Sequence, residues 1–272
     1  RGPRRRPLAP RRAGTNAMSA RVEILVVKFG GTSLGTPARI RRAARRVAAL
    51  VASGRRVVAV VSAMGHTTDH ILETLGALEA GRTAAPAREV DRALATGEDL
   101  SAALLAAALN TLGVPARSLR GGEAGVRADG AFGAARVARV DARRLRALLA
   151  RGVVPVVSGF QGERSDREVA TLGRGGSDTS AVAIAAALGP APCHIVTDVD
   201  AVYDRDPRRH ADARPLPRLS HGELLDLARS GAQVVAADAA RLAAEQGVPL
   251  RVLGYDAAPN DERSGTFVGG AR

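Results

Sequence analysis

Lysine is the residue type whose usage first indicates chemistry in this sequence. Of the 40 basic residues among 272, all are Arg except one, Lys28. A compact ammonium on a flexible stem takes different partners from a planar guanidinium fork. Because the chain uses Arg almost wherever a cation would serve, Lys28 predicts a position where only an ammonium is suitable.

Three glycine-rich segments are the next candidates for a binding site: residues 28–33 (KFGGTS), 62–68 (SAMGHTT) and 173–178 (GRGGSD). Glycine allows backbone N–H groups to approach a ligand closely, and a helix N-terminus favours negative charge. Each segment alone is equally well explained as a structural turn. Together, at strand ends and helix starts of one sheet, they suggest a phosphate-rich ligand in its crevice. The two commonest nucleotide motifs, GxGxxG after a strand and GxxxxGK[ST], are absent.

Apolar β-branched runs alternate with helical patterns along the chain. We predict strands at residues 22–29, 56–62, 153–158, 194–198 and 250–253, and helices at 37–52, 68–80, 101–112, 141–150, 177–188, 220–230 and 237–246. Residues 121–133 are rich in glycine and predict a loop or hairpin. Strand–helix alternation of this kind predicts an α/β fold whose mainly parallel sheet is covered on both faces.

Composition excludes several classes of protein. There is no run of 18 apolar residues, which argues against a membrane span, and one Cys excludes a disulfide framework. Net charge is +13, but six Arg lie within the first 17 residues. We therefore expect residues 1–20 to be a disordered Arg-rich leader or a misassigned start. Nucleic-acid binding is the least favoured interpretation, because aromatic content is only 2% and aromatic side chains on which bases could stack are scarce.

Six segments resemble, in order, the signatures of the aspartate kinases within the amino-acid kinase superfamily: VVKFGGTS, VVSAMGHTTD, ATGEDLSAALL, GFQG, TLGRGGSDTSAVAIAAALG and TDVDAVYDRDPR. The resemblance implies a three-layer αβα sandwich around a mainly parallel sheet. It divides residues 21–272 into an N-terminal lobe for the amino acid, to about residue 190, and a C-terminal lobe for ATP. The implied reaction, with ATP and Mg²⁺, phosphorylates the side-chain carboxylate of L-aspartate to 4-phospho-L-aspartate.

The resemblance also implies roles for individual residues. Lys28 would neutralise the transferring phosphoryl group, and Asp178 would hold Lys28 in place. Arg174 would bind a substrate carboxylate, and Glu98 the substrate ammonium. The remaining substrate and nucleotide contacts would be Ser62, Thr68, Gly30, Gly31, Ser33, Thr197, Asp198, Tyr203, Asp206 and Arg208. No residue is assigned as a metal ligand.

Structural interpretations of the same residues stay open at this point. Lys28 could simply cover the end of a strand. Glu98 follows Gly97 just before the helix predicted at 101–112, so it could be a first-turn carboxylate opposing the helix dipole. Asp178 could be a helix-start carboxylate of the same kind, and Arg174 could be a solvated loop residue.

Two departures from the family pattern affect function. Residues 231–240 (GAQVVAADAA) stand where the family usually reads Gly-Ala-Lys-Val-Leu-His-Pro-Arg-Ala, so Gln233 replaces a phosphate-binding Lys. This change motivates one alternative, a degenerate kinase acting as a ligand-binding or regulatory subunit. A second alternative is a kinase of another small amino-acid-like carboxylate, which the loss of regulatory domains would suit. The chain also ends near the end of the family's kinase domain, so we expect no C-terminal regulatory domains. We expect a cytoplasmic homodimer, with any control coming from a separate regulatory chain.

Overall fold

In the computed structural model, residues 23–81, 83–207, 209–230, 234–259, 261 and 263–270 are described. The predicted leader, residues 1–20, lies outside them. The described residues form eight helices: α1 (Gly31–Leu34), α2 (Pro37–Ala52), α3 (Thr67–Glu79), α4 (Ala87–Thr111), α5 (Arg143–Ala150), α6 (Gly176–Ala187), α7 (His221–Arg229) and α8 (Ala237–Gln246). Within this part of the chain, no helix combines the length and the apolar character needed to cross a membrane.

The same residues form twelve strands: β1 (Ile24–Phe29), β2 (Arg56–Val61), β3 (Ala116–Leu119), β4 (Val126–Asp129), β5 (Arg136–Val140), β6 (Val154–Ser158), β7 (Gln161–Glu163), β8 (Val169–Thr171), β9 (Cys193–Thr197), β10 (Arg218–Leu219), β11 (Leu250–Gly254) and β12 (Thr266–Val268). Eight make one sheet, in the order β10-β12-β11-β9-β1-β2-β6-β3, and four make a second, β5-β4-β7-β8. Neighbours in the larger sheet pair in parallel except β11 with β12. The mainly parallel sheet is therefore confirmed.

The central strands are almost entirely apolar because both faces of the larger sheet are covered. Successive side chains of a strand point to opposite faces. In β1, Leu25 and Val27 pack with α2 and α4, whereas Val26 packs with the layer that contains α5, α6 and α8. This arrangement confirms the predicted three-layer αβα sandwich.

Local capping signals explain why several helices begin where the sequence predicts. At α2, the Thr36 hydroxyl accepts a hydrogen bond from the Arg39 N–H at 3.2 Å, and Pro37 occupies the first helical position. At α7, Ser220 and Glu223 form a reciprocal capping box. Both devices satisfy N–H groups that the first turn of a helix leaves unpaired.

Helix α4 differs from the prediction. It begins at Ala87, not at residue 101, and places Glu98 in the helix interior. The alternative interpretation of Glu98 as a first-turn carboxylate is therefore wrong. Gly97 is tolerated inside the helix because a Cβ there would lie 2.8 Å from the Ala63 Cβ. Close packing against the turn after β2 thus outweighs the roughly 1 kcal/mol propensity cost of glycine.

The second sheet was not predicted. For residues 121–133, expected to be a loop or a hairpin, the hairpin is confirmed, since β4 pairs antiparallel with β5. A buried carboxylate on α4 fixes this sheet in place. Asp91 is 0% exposed and accepts hydrogen bonds from the N–H groups of Gly133 at 3.0 Å and Thr171 at 2.8 Å. The Thr171 hydroxyl donates to it as well, at 2.8 Å. The helix that carries Glu98 is therefore joined to β8, which leads towards residues 173–178.

Candidate active site

The carboxyl ends of β9, β1 and β2 meet at one edge of the larger sheet, because β1 pairs in parallel with both of its neighbours. The glycine-rich segments 28–33 and 62–68 leave β1 and β2 at this edge, and 173–178 opens α6. The topology therefore brings all three segments to the crevice where open α/β sheets bind ligands.

Lys28 and Asp178 form an ion pair at the centre of this edge. The Lys28 Nζ lies 2.6 Å from Oδ1 of Asp178, and the two residues are 9% and 7% exposed. The other carboxylate oxygen, Oδ2, accepts from the Ala236 N–H at 3.3 Å. Paired charges interact more strongly in a buried site than in water. The structure thus holds a single ammonium in a defined position at the strand end.

The turn after β1 is built by contacts with β9 and with the turn after β2. The Gly30 N–H donates to the Val196 carbonyl at 3.0 Å, and the Ser33 hydroxyl donates to the same oxygen at 3.3 Å. A Cβ on Gly31 would lie 2.7 Å from the Ala63 carbonyl oxygen. Glycine is therefore required at residue 31 for the two turns to touch. Gly30 leaves open the space beside Lys28, since a Cβ there would lie 3.6 Å from the Lys28 Nζ.

Glu98 lies beneath the turn after β2. Its Oε1 accepts from the Ala63 N–H at 2.9 Å, and the residue is 3% exposed. Its Oε2 is also buried and has no hydrogen-bond partner among the described residues. Burial raises the pKa of Glu98 to about 7, and the neighbouring Asp99 charge adds to the increase. A buried acceptor without a partner is costly, and an ammonium group would satisfy it.

The other three predicted substrate contacts surround this edge of the sheet. Ser62 is half-buried and directly follows β2, where its N–H donates to the Phe29 carbonyl at 3.1 Å. Thr68 is half-buried in the first turn of α3. Arg174 is exposed in the turn before α6, and no hydrogen bond or ion pair engages its side chain within the described part of the chain. Its guanidinium is free to bind a carboxylate.

A cavity of about 700 Å³ opens beyond the end of β9. Its lining includes Thr197, Asp198, Tyr203, Arg205, Asp206 and Arg209. The Tyr203 hydroxyl donates to Oδ1 of Asp200 at 2.8 Å, and the Thr197 hydroxyl donates to Asp198 at 3.0 Å. The structure therefore gathers four of the predicted nucleotide-side residues around one cavity, which we call the nucleoside cavity.

Two residues singled out from the sequence, Arg208 and Gln233, lie outside the described residues. Arg241 is the first basic residue after Gln233 in the sequence, and its side chain is engaged in ion pairs. It pairs with Asp238 at 2.9 Å and with Glu245 at 3.6 Å on the exposed face of α8.

Comparison with known proteins gives the family. The model of the amino acid kinase family matches residues 23–254. The chain belongs to this family. Among curated relatives, the aspartokinase of Corynebacterium efficiens is 45% identical over 230 residues, which cover 84% of this chain and 54% of the relative. The aspartokinase of Thermus thermophilus is 42% identical over 229 residues, 84% of this chain and 56% of the relative. This amino acid kinase chain therefore spans about half the length of the curated relatives.

Solved structures agree with the family assignment. An aspartate kinase from Synechocystis superposes with a TM-score of 0.78 and 40% identity, covering 91% of this chain and 40% of that one. Escherichia coli aspartokinase III, solved in complex with aspartate and ADP, superposes with a TM-score of 0.79 and 25% identity. That match covers 92% of this chain and 65% of the other.

Sequence reasoning missed contacts that this amino acid kinase makes through its backbone. The Ala63 N–H holds Glu98, and the Ala236 N–H holds Asp178. Ala236 belongs to the segment whose side chains depart from the family pattern. Its backbone N–H can donate to Asp178 regardless of which side chain the residue carries. Asp200, the partner of Tyr203, was also missed, although it lies within a segment that carried the family resemblance.

Proposed function

We propose that this amino acid kinase chain catalyses ATP-dependent phosphorylation of the side-chain carboxylate of L-aspartate, giving 4-phospho-L-aspartate. The observation that carries the proposal is the buried Lys28–Asp178 pair, 2.6 Å apart at the strand ends. It lies at the edge of the sheet where the glycine-rich turns and Glu98 gather. Identities of 42–45% with curated aspartokinases support the choice of substrate.

The chemistry needs positioning and charge neutralisation more than proton transfer. A free aspartate side chain has a pKa of about 3.9 and is already a nucleophile at neutral pH. The obstacle is the repulsion between this anion and the γ-phosphate. Lys28 lies where its ammonium can offset that charge, and Asp178 prevents it from turning into solvent.

The amino-acid end of the site would recognise the two groups that do not react. Glu98 presents its unpartnered Oε2 to the substrate ammonium. The Arg174 guanidinium, which no described residue engages, suits bidentate binding of the α-carboxylate. Ser62 and Thr68 would supply hydroxyl groups to the same end of the site. Recognising both ends fixes the side-chain carboxylate for in-line attack.

The nucleotide would enter from the nucleoside cavity, with its phosphates directed along residues 30–33. The described residues contain no group of three or more His, Cys, Asp or Glu that could hold a metal. Mg²⁺ is usually bound through substrate phosphates and one or two carboxylates. Asp198, which directly follows β9, could provide such a carboxylate. Mg²⁺ would supply neutralisation of phosphate charge.

An assay of ADP release, coupled to an indicator reaction, tests the proposal with Mg-ATP and a panel of L-aspartate, L-glutamate and carbamate. Hydroxylamine trapping of the acyl phosphate identifies the product. We expect turnover with L-aspartate and at least tenfold less with the others. Absence of ADP release by protein shown to be folded would reject the proposal, and preference for another carboxylate would change the substrate.

Assembly and location remain predictions. We propose a homodimer, to be checked by light scattering coupled to size-exclusion chromatography. Control by a separate regulatory chain and a cytoplasmic location are further predictions made from the sequence.

A further inference from the structure

Arg46 is a buried cation that the proposed reaction does not use. It lies in α2, is 3% exposed, and is the one arginine among the described residues that is buried. Within that part of the chain it forms no ion pair with a carboxylate, and burial lowers the pKa of its guanidinium. Burying a charge without a counter-ion is unfavourable. Its presence therefore needs a specific reason.

The guanidinium binds the backbone of one loop. Nη2 of Arg46 donates to the Gly254 carbonyl at 3.4 Å and to the Ala257 carbonyl. Nη1 is buried and has no partner among the described residues. The loop that receives these bonds, residues 254–257, begins with the last residue of β11. Arg46 thus ties α2 to the connection after β11.

Two more arginines on the same face of α2 hold this loop. Arg39 and Arg42 place their guanidinium carbons 5.1 and 5.6 Å from the centre of the Tyr255 ring. Arg42 also forms an ion pair with Asp256. Residues 39, 42 and 46 follow the helical spacing of neighbours on one face. We call these three residues the arginine clamp.

One end of the clamp reaches the turn after β1. Nη1 of Arg39 donates to the Thr32 carbonyl at 2.7 Å. Thr32 belongs to α1, which packs directly against α2. The same side chain therefore contacts both the turn that would face the phosphates and the ring of Tyr255.

Loop 254–257, which the clamp holds, contacts a residue that lines the nucleoside cavity. The Tyr255 N–H donates to the Thr197 carbonyl at 3.0 Å. Gly254 packs closely against the segment after β9, since a Cβ on Gly254 would lie 3.2 Å from the Cα of Asp200. Asp200 in turn accepts from the Tyr203 hydroxyl. A shift of loop 254–257 would therefore move residues that line the cavity.

We propose that Arg46 is a positioning residue for the nucleotide. By fixing loop 254–257 against α2, it sets the spacing between residues 30–33 and the nucleoside cavity. The inference rests on the proposed function, in which ATP spans these two features. A purely structural Arg46 would affect stability alone, whereas a positioning Arg46 affects affinity for ATP and leaves aspartate recognition unchanged.

The test replaces Arg46 with Met, which keeps a long side chain but removes the charge and both hydrogen bonds. Met removes the cost of burying an unpaired charge, which offsets the loss of the hydrogen bonds to the two carbonyl groups. We expect Arg46→Met to weaken Mg-ATP binding, measured by titration calorimetry, about tenfold, because small misplacements of binding groups have effects of that size or more. KM for ATP should rise in parallel, with KM for aspartate within twofold of wild type.

Arg45→Met is the matched control, since Arg45 is an exposed neighbour on the same helix, and it should bind ATP as wild type does. Arg46→Lys should recover part of the affinity. Arg39→Ala gives a second test, because its half-exposed side chain can be removed without emptying the core, and should weaken ATP binding about threefold.

Unchanged ATP affinity in folded Arg46→Met and Arg39→Ala would overturn the inference, as would equal losses of ATP and aspartate affinity. If the wild-type chain binds ATP but does not phosphorylate aspartate, the proposed function fails. The calorimetric comparison of variants then still decides the role of Arg46.

Discussion

Replacing Glu98 with Gln should increase the stability of the ligand-free protein while weakening its recognition of aspartate. Glu98 is 3% exposed, and its Oε2 has no partner among the described residues. Burial raises its pKa from 4.5 to about 7. Gln keeps the acceptor for the Ala63 N–H but carries no charge. The variant therefore isolates the cost of the buried carboxylate.

The sign and size of the stability change follow from proton linkage. A carboxyl group whose pKa is higher in the folded than in the unfolded chain destabilises the fold increasingly as pH rises between the two values. The difference between 4.5 and about 7 corresponds to a loss of about 3 kcal/mol at pH 8 and about 1 kcal/mol at pH 5. Glu98→Gln should therefore be more stable than wild type by these amounts.

Urea unfolding of both proteins without ligands, at pH 5 and pH 8, measures this difference. The exposed Glu89 on the same helix provides a control. Glu89→Gln should change stability little, and equally at both pH values. In the coupled assay, Glu98→Gln should raise KM for aspartate about 10- to 100-fold, because a charge-assisted contact to the ammonium is lost.

The reasoning fails if the free-energy difference between Glu98→Gln and wild type is the same at pH 5 and pH 8. That result would mean that the carboxyl titrates near its ordinary pKa in the folded protein. A stability gain with unchanged KM for aspartate would support the raised pKa of Glu98 but would show that Glu98 does not bind the substrate.

Two further predictions concern the edge of the sheet. Lys28→Met should lower kcat at least about 10³-fold, as loss of a charge-neutralising group does in other phosphoryl transfers. It should also destabilise the fold by leaving Asp178 unpaired, and adding Asp178→Asn should recover stability in thermal melts without recovering activity. Gly31→Ala should reduce both stability and activity, since its Cβ would lie 2.7 Å from a backbone carbonyl oxygen. Gly76→Ala, where a Cβ meets nothing within 4 Å, should instead stabilise the protein slightly. Equal melting temperatures for the two glycine variants would contradict this account.

Much of the fold was predictable because its signals are local. Apolar β-branched runs indicated β1, β2 and β6, and Thr36 with Pro37 marked the start of α2. The parallel sheet followed from the alternation of these elements. Lys28 could be identified from composition because it is the one Lys in the sequence. Its position beside the turn after β1 was also predictable, since the two are adjacent in the chain.

The parts that escaped prediction depend on partners distant in the chain. The smaller sheet is made of strands of three to five residues, too short for periodicity to identify. Helix α4 runs through Gly97 because the turn after β2 occupies the space that a Cβ would need. Neither feature has a signature within its own segment.

The sequence by itself determined which residue types were available and where strands and helices alternate, since propensity and apolar periodicity act over a few residues. Tertiary structure alone decided the electrostatics. Glu98 acquired its raised pKa from burial beneath a turn 35 residues away in the chain. Nothing in the sequence separates Arg46 from the dozens of other arginines. Only its contacts with loop 254–257 in the folded chain distinguish it. Charge, burial and hydrogen-bond partners are properties of the space around a side chain, and folding creates that space.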